Sequence, residues 1–224
     1  EFFASESLKN DYQVIPIVLM LVFVLYYFRK SEKVNIIISQ QKEELDKQKT
    51  IIEEKQKEII DSIEYALRIQ TAILPQQKTV QHYLNNSFIL YKPKDIVAGD
   101  FYWMEKTEDL VLFAACDCTG HGVPGAMVSV VCHNALNRAV REFGLIQPSA
   151  ILDKTAEIVI ENFNKSEEDI KDGMDISLCA FNPKTKTIQW AGANNPLWLL
   201  QNDELIEIKA DKQPIGKSEE NKPF

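Results

Sequence analysis

The chain has 224 residues, 45% of them hydrophobic and 26% charged, a globular balance that argues against wholesale disorder. Its formal net charge of −8, with no basic run interleaved with aromatics, argues against nucleic acid as a partner, because a phosphate backbone needs a basic face. Four cysteines in a chain this long do not make a disulfide scaffold and read as reduced, buried thiols of a cytosolic region.

Beginning at Glu1 and closing on "ENKPF", the sequence reads as a segment of a longer protein. Residues 1–11 carry Glu1, Glu6 and Asp11 against Lys9 and are expected to be an extracytoplasmic remnant. The uncharged run "YQVIPIVLMLVFVLYYF" (12–28) has the minimum length for crossing a bilayer. Tyr26, Tyr27 and Phe28 lie where an interfacial aromatic belt belongs, and Arg29 and Lys30 follow at once. The positive-inside rule then places everything after residue 29 in the cytoplasm, behind a single pass through the cell inner membrane. A buried core helix and a signal-peptide core are the competing readings.

Residues 29–74 turn to Lys, Glu, Gln and Ile, without Gly or Pro. Ile38, Leu45, Ile52, Ile59, Ala66 and Ile73 recur every seven residues, one apolar column of a coiled coil. The companion column holds Val34, Gln41, Gln48, Lys55, Ser62 and Ile69, so the seam is weak. A parallel homodimer is predicted, its local concentration raised by the membrane, against a solvated single helix held by charge pairs. Polar seam residues bring two registers close in energy, which suits a relay of an upstream signal.

Residues 75–224 have the mixed pattern of a globular domain. "SFILY" (87–91), "FYWMEK" (101–106) and "LVLFAACD" (110–117) read as strands, with "KPKDIVAGD" (92–100) as a loop. A helix is predicted over 122–143, with Pro124 in its first turn and Gly144 at its stop, and a second over 148–164 with Ser149 as cap. The acidic stretch "KSEEDIKDG" (165–173) reads as a loop. "MDISLCAF", "TIQWAGA", "LWLLQ" and "ELIEIKA" follow as strands, with "NPKTK" and "ND" as hairpin turns. Strands, two helices and strands again imply a mixed sheet structure with helices packed outside.

The chemistry concentrates in "DCTGHGVPGAM" (117–127) and "AGDFYW" (98–103). An aspartate at a strand end, next to a glycine turn, projects its carboxylate into a cleft while the turn exposes backbone carbonyls. Carboxylates and carbonyls are hard donors, suited to magnesium or manganese. Two neighbouring antiparallel strands bring Asp100 and Asp117 to one rim; the alternative is turn aspartates that bond their own backbone. A zinc site from Cys116, Cys118 and His121 is disfavoured, because alternation turns both thiols away from Asp117 and no C-x-x-C knuckle is present.

"RIQTAILP" (68–75), "KPKDIVAGDFYW" (92–103), "DCTGHGVPGAMVS" (117–129), "WAGANNPLWLL" (190–200) and "QPIG" (213–216) stand in an order that resembles the SpoIIE-like (RsbU-type) serine/threonine phosphatases of the metal-dependent PPM, or protein phosphatase 2C, superfamily. The resemblance implies an α+β domain of αββα sandwich type, C-terminally incomplete here, with two divalent ions (Mn or Mg) in a cleft at one end of the sheets. It implies direct hydrolysis of phosphoserine or phosphothreonine, with Asp117 bridging the metals, the backbone carbonyl of Cys118 as a further ligand, and Asp100 bound directly or through water. His121 and Gly122 match the family turn, with His121 read as structural. Ala193 stands where the family carries a histidine, and further family aspartates beyond "QPIG" have no match before Phe224, so the segment alone is expected to turn over little. Asp172 and Asp175 in "DGMD" come too early in the order to replace them. A phosphoprotein substrate is implied, in many relatives an anti-sigma-factor antagonist.

Two other functions compete with a membrane-tethered phosphatase. A catalytically silent signalling adaptor of the same fold is disfavoured by the retention of both Asp100 and Asp117. A sensor-kinase stem is disfavoured because no histidine occurs between residues 29 and 74.

Overall fold

The computed structural model describes residues 2–165, 171–218 and 222–224, with side chains from residue 14 onward. Most of the expected acidic loop, residues 166–170, lies outside the described residues. Two compact units divide the chain, residues 1–59 and residues 60–224.

Helix α1 (Phe2–Ile73) makes up the first unit, and its last turns belong to the second. From Val14 to Ile59 every side chain in the first unit is exposed, the apolar run 14–28 included. By length and composition this stretch suffices to cross a membrane, and its exposure is unlike that of a core helix. The heptad column Ile38, Leu45, Ile52 and Ile59 is likewise open, each residue more than half exposed. Glu43–Lys47 at 2.8 Å and Lys55–Glu58 at 2.8 Å brace the helix surface. Exposed pairs of this kind contribute about 0.3–0.5 kcal/mol each, so α1 draws little stability from them.

The second unit is built on a five-stranded sheet. Strands β1 (Phe101–Lys106), β2 (Val111–Cys118), β3 (Gly173–Asn182) and β4 (Thr187–Ala193) are antiparallel neighbours in chain order, and β7 (Ile215–Gly216) pairs with the start of β3. Between β2 and β3 run helices α3 (Gly122–Arg141) and α4 (Pro148–Phe163), packed on one face of the sheet. Period-two alternation decides which side chains meet them. Leu112, Ala114, Cys116 and Cys118 of β2 and Met174, Ile176, Leu178 and Ala180 of β3 point to the helices and are buried. Helix α3 answers with Val128, Cys132, Ala135, Leu136 and Ala139, and α4 with Ile151, Leu152, Ile158 and Val159. At about 1.5–3 kcal/mol for each fully buried large aliphatic side chain, this layer holds the unit together.

The opposite face carries Tyr102, Met104, Phe113, Ala115, Asp117, Asp175 and Ser177. Among the described residues no helical layer matches α3 and α4 there, and the second sheet is the two-stranded pair β5 (Leu197–Gln201) and β6 (Glu204–Ile208). The unit is therefore an α+β arrangement that holds one α/β half of the expected sandwich plus a hairpin. Over the β1–β2 end of the face lies α2 (Gln77–Tyr83), a short helix that the sequence pattern did not announce. With the segment after it, α2 closes a cavity of about 350 Å³ lined by Val80, Tyr83, Phe88, Met104 and Phe113.

Several boundaries move. "SFILY" enters no strand; it finds no ladder partner, and Phe88 and Leu90 stand 90% and 84% exposed. Ser149 is not the cap of α4: Gln147 occupies that position and Pro148 the first turn. The "ND" turn is tight, with Asn202 at φ 53° and Asp203 at φ 62°, as a two-residue hairpin requires.

Candidate active site

The register of β1 on β2 answers the main question raised by the sequence. Phe101 pairs with Cys116, so Asp100 comes next, opposite Asp117, and both leave the face that α3 and α4 cover. Asp117 is exposed between buried Cys116 and Cys118. The two carboxylates are close enough to hydrogen-bond. Burial first, then the bond to Asp100 and its charge, hold the Asp117 carboxyl above the ordinary carboxylate range. They sit on the wall of a cleft of about 650 Å³, shared with Tyr91, Lys92, Ser177 and Asn195. The Tyr91 hydroxyl donates to the carbonyl of Asp100 at 3.2 Å.

Glycines bring the two carboxylate loops together. A side-chain carbon at Gly99 would lie 2.6 Å from the Gly120 carbonyl oxygen and 3.2 Å from that of Cys118. The backbone before Asp100 thus lies directly against the carbonyls after Asp117. Gly120 and Gly122, at φ 84° and 62°, turn the chain from β2 into α3. His121 is the extended residue ahead of α3; its Nδ1 meets Asp95 Oδ2 at 3.0 Å and ties the turn to the 92–99 loop. That contact gives His121 a structural place beside the carboxylates.

The structure adds two aspartates that the motif order had set aside. Asp175 of β3 is the register partner of Asp117, on the same face of the sheet. It accepts a hydrogen bond from Asn194 Nδ2 at 2.8 Å, the asparagine being left-handed at φ 55° in the "AGANNP" turn. Asp172 accepts from Thr119 Oγ1 at 2.7 Å. Cross-strand register was the missing signal, since residues some sixty positions apart meet only once β2 and β3 are paired.

The candidate ligands at this rim are oxygens: the carboxylates of Asp100 and Asp117, with the Cys118 carbonyl beside Gly99. They fit a hard divalent ion by chemistry. Still, among the described residues no three His, Cys, Asp or Glu side chains gather as a metal-holding group. Cys116 and Cys118 belong to the buried core under α3, on the face of β2 opposite Asp117, so their thiols do not join the carboxylates at this rim. The neighbouring Cys132 thiol together with burial pushes the Cys118 thiol up, and burial does the same to Cys116.

Behind the site, buried His133 of α3 packs edge-on against Phe101 at 5.9 Å, with the backbone of Ile73 nearby. Asn137 and Arg141 on its own helix and Glu105 of β1 are its other polar neighbours. Desolvation, the largest influence, holds its pKa below the ordinary histidine value. A base with a depressed folded pKa binds its proton later than the unfolded chain does. Its contribution to stability is therefore complete above the unfolded pKa and is lost as pH falls from there towards the folded pKa. The melting temperature is expected to drop as pH falls below about 6.5, and His133→Gln to flatten that drop; a pH series of thermal melts on both proteins checks it.

Residues 107–223, more than half of the chain, match the family model described as Stage II sporulation protein E (SpoIIE). Asp117 and Cys118 fall inside this match and Asp100 just before it. The SiaA-PP2C domain of Pseudomonas aeruginosa is similar at 34% identity and a TM-score of 0.64, over 72% of this chain and 64% of that domain. The chain therefore spans less than two thirds of that relative's length. The PP2C phosphatase domain with a regulatory fragment of SpoIIE from Bacillus subtilis gives 18% identity and a TM-score of 0.42, over 54% of this chain and 34% of that one. RsbX, determined in complex with magnesium, gives 14% and 0.44, over 60% and 62%. No curated protein matches the chain.

Proposed function

We propose that this chain, which belongs to the SpoIIE family of PP2C-type phosphatases, is a divalent-metal-dependent protein serine/threonine phosphatase on a membrane-anchored helical stem. The observation that carries the reading is the meeting of Asp100 and Asp117 across β1 and β2, at the rim of an open cleft. Asp100, Asp117 and the Cys118 carbonyl are the groups that would hold the ions, Mn or Mg. A divalent ion held there supplies charge for the phosphoryl oxygens and lowers the pKa of water. The protein's own part is to fix the two carboxylates against each other through Gly99 and Gly120, and to leave the cleft wide enough for a phosphorylated side chain. No cysteine takes part, since the thiols beside Asp117 face the core.

The apolar run 12–28 supports a single pass through the inner membrane, with Arg29, Lys30 and everything beyond in the cytoplasm. The open heptad column of α1 supports a parallel homodimer that relays a signal to the catalytic domain. The substrate class is a phosphoserine or phosphothreonine protein, of which an anti-sigma-factor antagonist is one candidate. The lack of a three-residue side-chain metal group among the described residues favours a second reading, a catalytically silent adaptor of the same fold. Assay of a phosphothreonine peptide separates the two. Phosphate release that requires Mn²⁺ and stops on chelation is expected for the phosphatase, and peptide binding without release for the adaptor.

A further inference from the structure

Among the described residues that line the cleft of Asp100 and Asp117, Lys92 is the one with a cationic side chain. It is exposed, and its ammonium is engaged by no carboxylate or other polar group among the described residues. The backbone that carries it is held on both sides. On one side, the Tyr91 hydroxyl donates to the Asp100 carbonyl at 3.2 Å, and the Tyr91 ring stands edge-on to that of Tyr102 in β1 at 5.5 Å. On the other, Pro93 confines the residue before it to extended backbone. Lys94, two residues on, is also exposed but does not line the cleft.

A cation with no ion-pair partner, on the wall of a cleft whose other charges are carboxylates, is free to meet an incoming anion. The chain as a whole does not favour one, since its formal net charge is −8. Attraction for an anionic ligand must therefore be local. A phosphorylated serine or threonine brings about −1.5 to −2 charges at pH 7 and three strong acceptor oxygens. Lysine suits such a group as a compact point charge with three donors on a flexible stem. Its bond to a phosphate oxygen is charge-assisted, about twice as strong as a neutral one. The fixed backbone at Tyr91 and Pro93 sets the root of that stem, and the flexible part reaches for the ligand.

We infer that Lys92 is a substrate-binding residue of this cleft: its ammonium receives the phosphoryl group and makes the cleft select a phosphorylated peptide over the same peptide without phosphate. The inference rests on the reading of Asp100 and Asp117 as the reacting edge, and it adds a side chain that touches the substrate and not the ions. A contact of this kind is made alike in the bound substrate and in the transition state, so it acts on KM and leaves kcat nearly unchanged.

The test uses the whole chain in Mn²⁺ and one fluorescent peptide in two forms, with threonine or with a phosphonate that copies phosphothreonine and cannot be hydrolysed. Fluorescence anisotropy then reads binding without turnover. The unsubstituted chain should bind the phosphonate form more tightly, and Lys92→Met should lose about tenfold of that preference, the lower end of what a hydrogen bond to a charged group contributes. Lys92→Arg should restore most of it. Lys94→Met, which removes the same charge outside the cleft, should keep all of it. With hydrolysable phosphothreonine, Lys92→Met should raise KM about tenfold at the parent's kcat, while Mn²⁺ affinity, read by electron paramagnetic resonance, stays that of the parent. Equal binding of the two forms by the unsubstituted chain, parental preference in Lys92→Met, or equal losses in Lys92→Met and Lys94→Met overturns the inference. So does weaker Mn²⁺ binding in Lys92→Met, which would place the lysine's action on the carboxylates. A preference that depends on Lys92 in a chain that releases no phosphate supports the inference and overturns the phosphatase reading in favour of the adaptor.

Discussion

Asp117→Asn is expected to move activity and stability in opposite directions. Phosphopeptide hydrolysis in Mn²⁺ should fall by at least about 100-fold, since losing even an outer partner of a metal ligand costs up to that much. In metal-free buffer at pH 7 the same variant should melt at a higher temperature than the parent. The second half follows from the raised pKa of Asp117, whose causes are burial and the Asp100 carboxylate. An acid whose pKa is higher folded than unfolded is held in the native state against a penalty on its ionised form. That penalty is present above the folded pKa and fades as pH falls through it, so at neutrality the pair opposes folding. Asparagine keeps the shape and removes the charge. Calorimetry in chelator beside rate measurements in Mn²⁺ reads both halves. A variant that loses activity and also melts lower would mean that Asp117 is an ordinary structural turn residue.

The same pair shows how far the sequence could be read. Alternation in "FYWMEK" and "LVLFAACD" placed β1 and β2 to within a residue, and antiparallel pairing followed from their short connection, so Asp100 and Asp117 were legible as neighbours. Helix α3 was legible from Pro124 and Gly144; Gly144 sits at φ 66° after the helix, where a left-handed residue ends it. What depends on distant pairing was not legible. Asp175 reaches the rim only because β3 lies antiparallel to β2 with Cys118 opposite Met174. Gln70 looks like any polar residue of a charged helix until the chain folds back and buries it. "SFILY" has the composition of a strand, but composition supplies no partner, and without a ladder the segment stays irregular. The short α2 gave no signal because seven residues cannot show a helical period.

Glycine at 125 carries the second large prediction, because there two effects of opposite sign compete. Gly125 lies in the first turn of α3, where alanine gains about 1 kcal/mol of helix propensity. Yet an added carbon would sit 2.5 Å from the Gly120 carbonyl oxygen, 2.8 Å from its carbon and 3.2 Å from the Gly99 Cα. These neighbours are backbone and cannot rotate away, so one strand-to-helix turn or the other must shift. Overpacking of this kind costs about 1–3 kcal/mol, and with rigid neighbours the upper part of that range applies. Gly125→Ala is thus expected to lose about 1–2 kcal/mol net, a fall of roughly 2–8 °C in melting temperature for a unit of this size. The shift also has a direction: it pushes the Gly120 carbonyl away from α3 and Gly99 away from its seat, parting the loops that end in Asp117 and begin at Asp100. Mn²⁺ affinity should therefore fall with stability. Gly144→Ala is the matching control, since nothing lies within 4 Å of the added carbon and the cost is left-handed backbone strain of about 1–2 kcal/mol, far from the carboxylates. Equal losses of stability with unequal losses of Mn²⁺ affinity would show that close approach at the Gly99–Gly120–Gly125 contact sets the geometry of the site. Equal effects on both measurements would leave that contact with no role beyond folding.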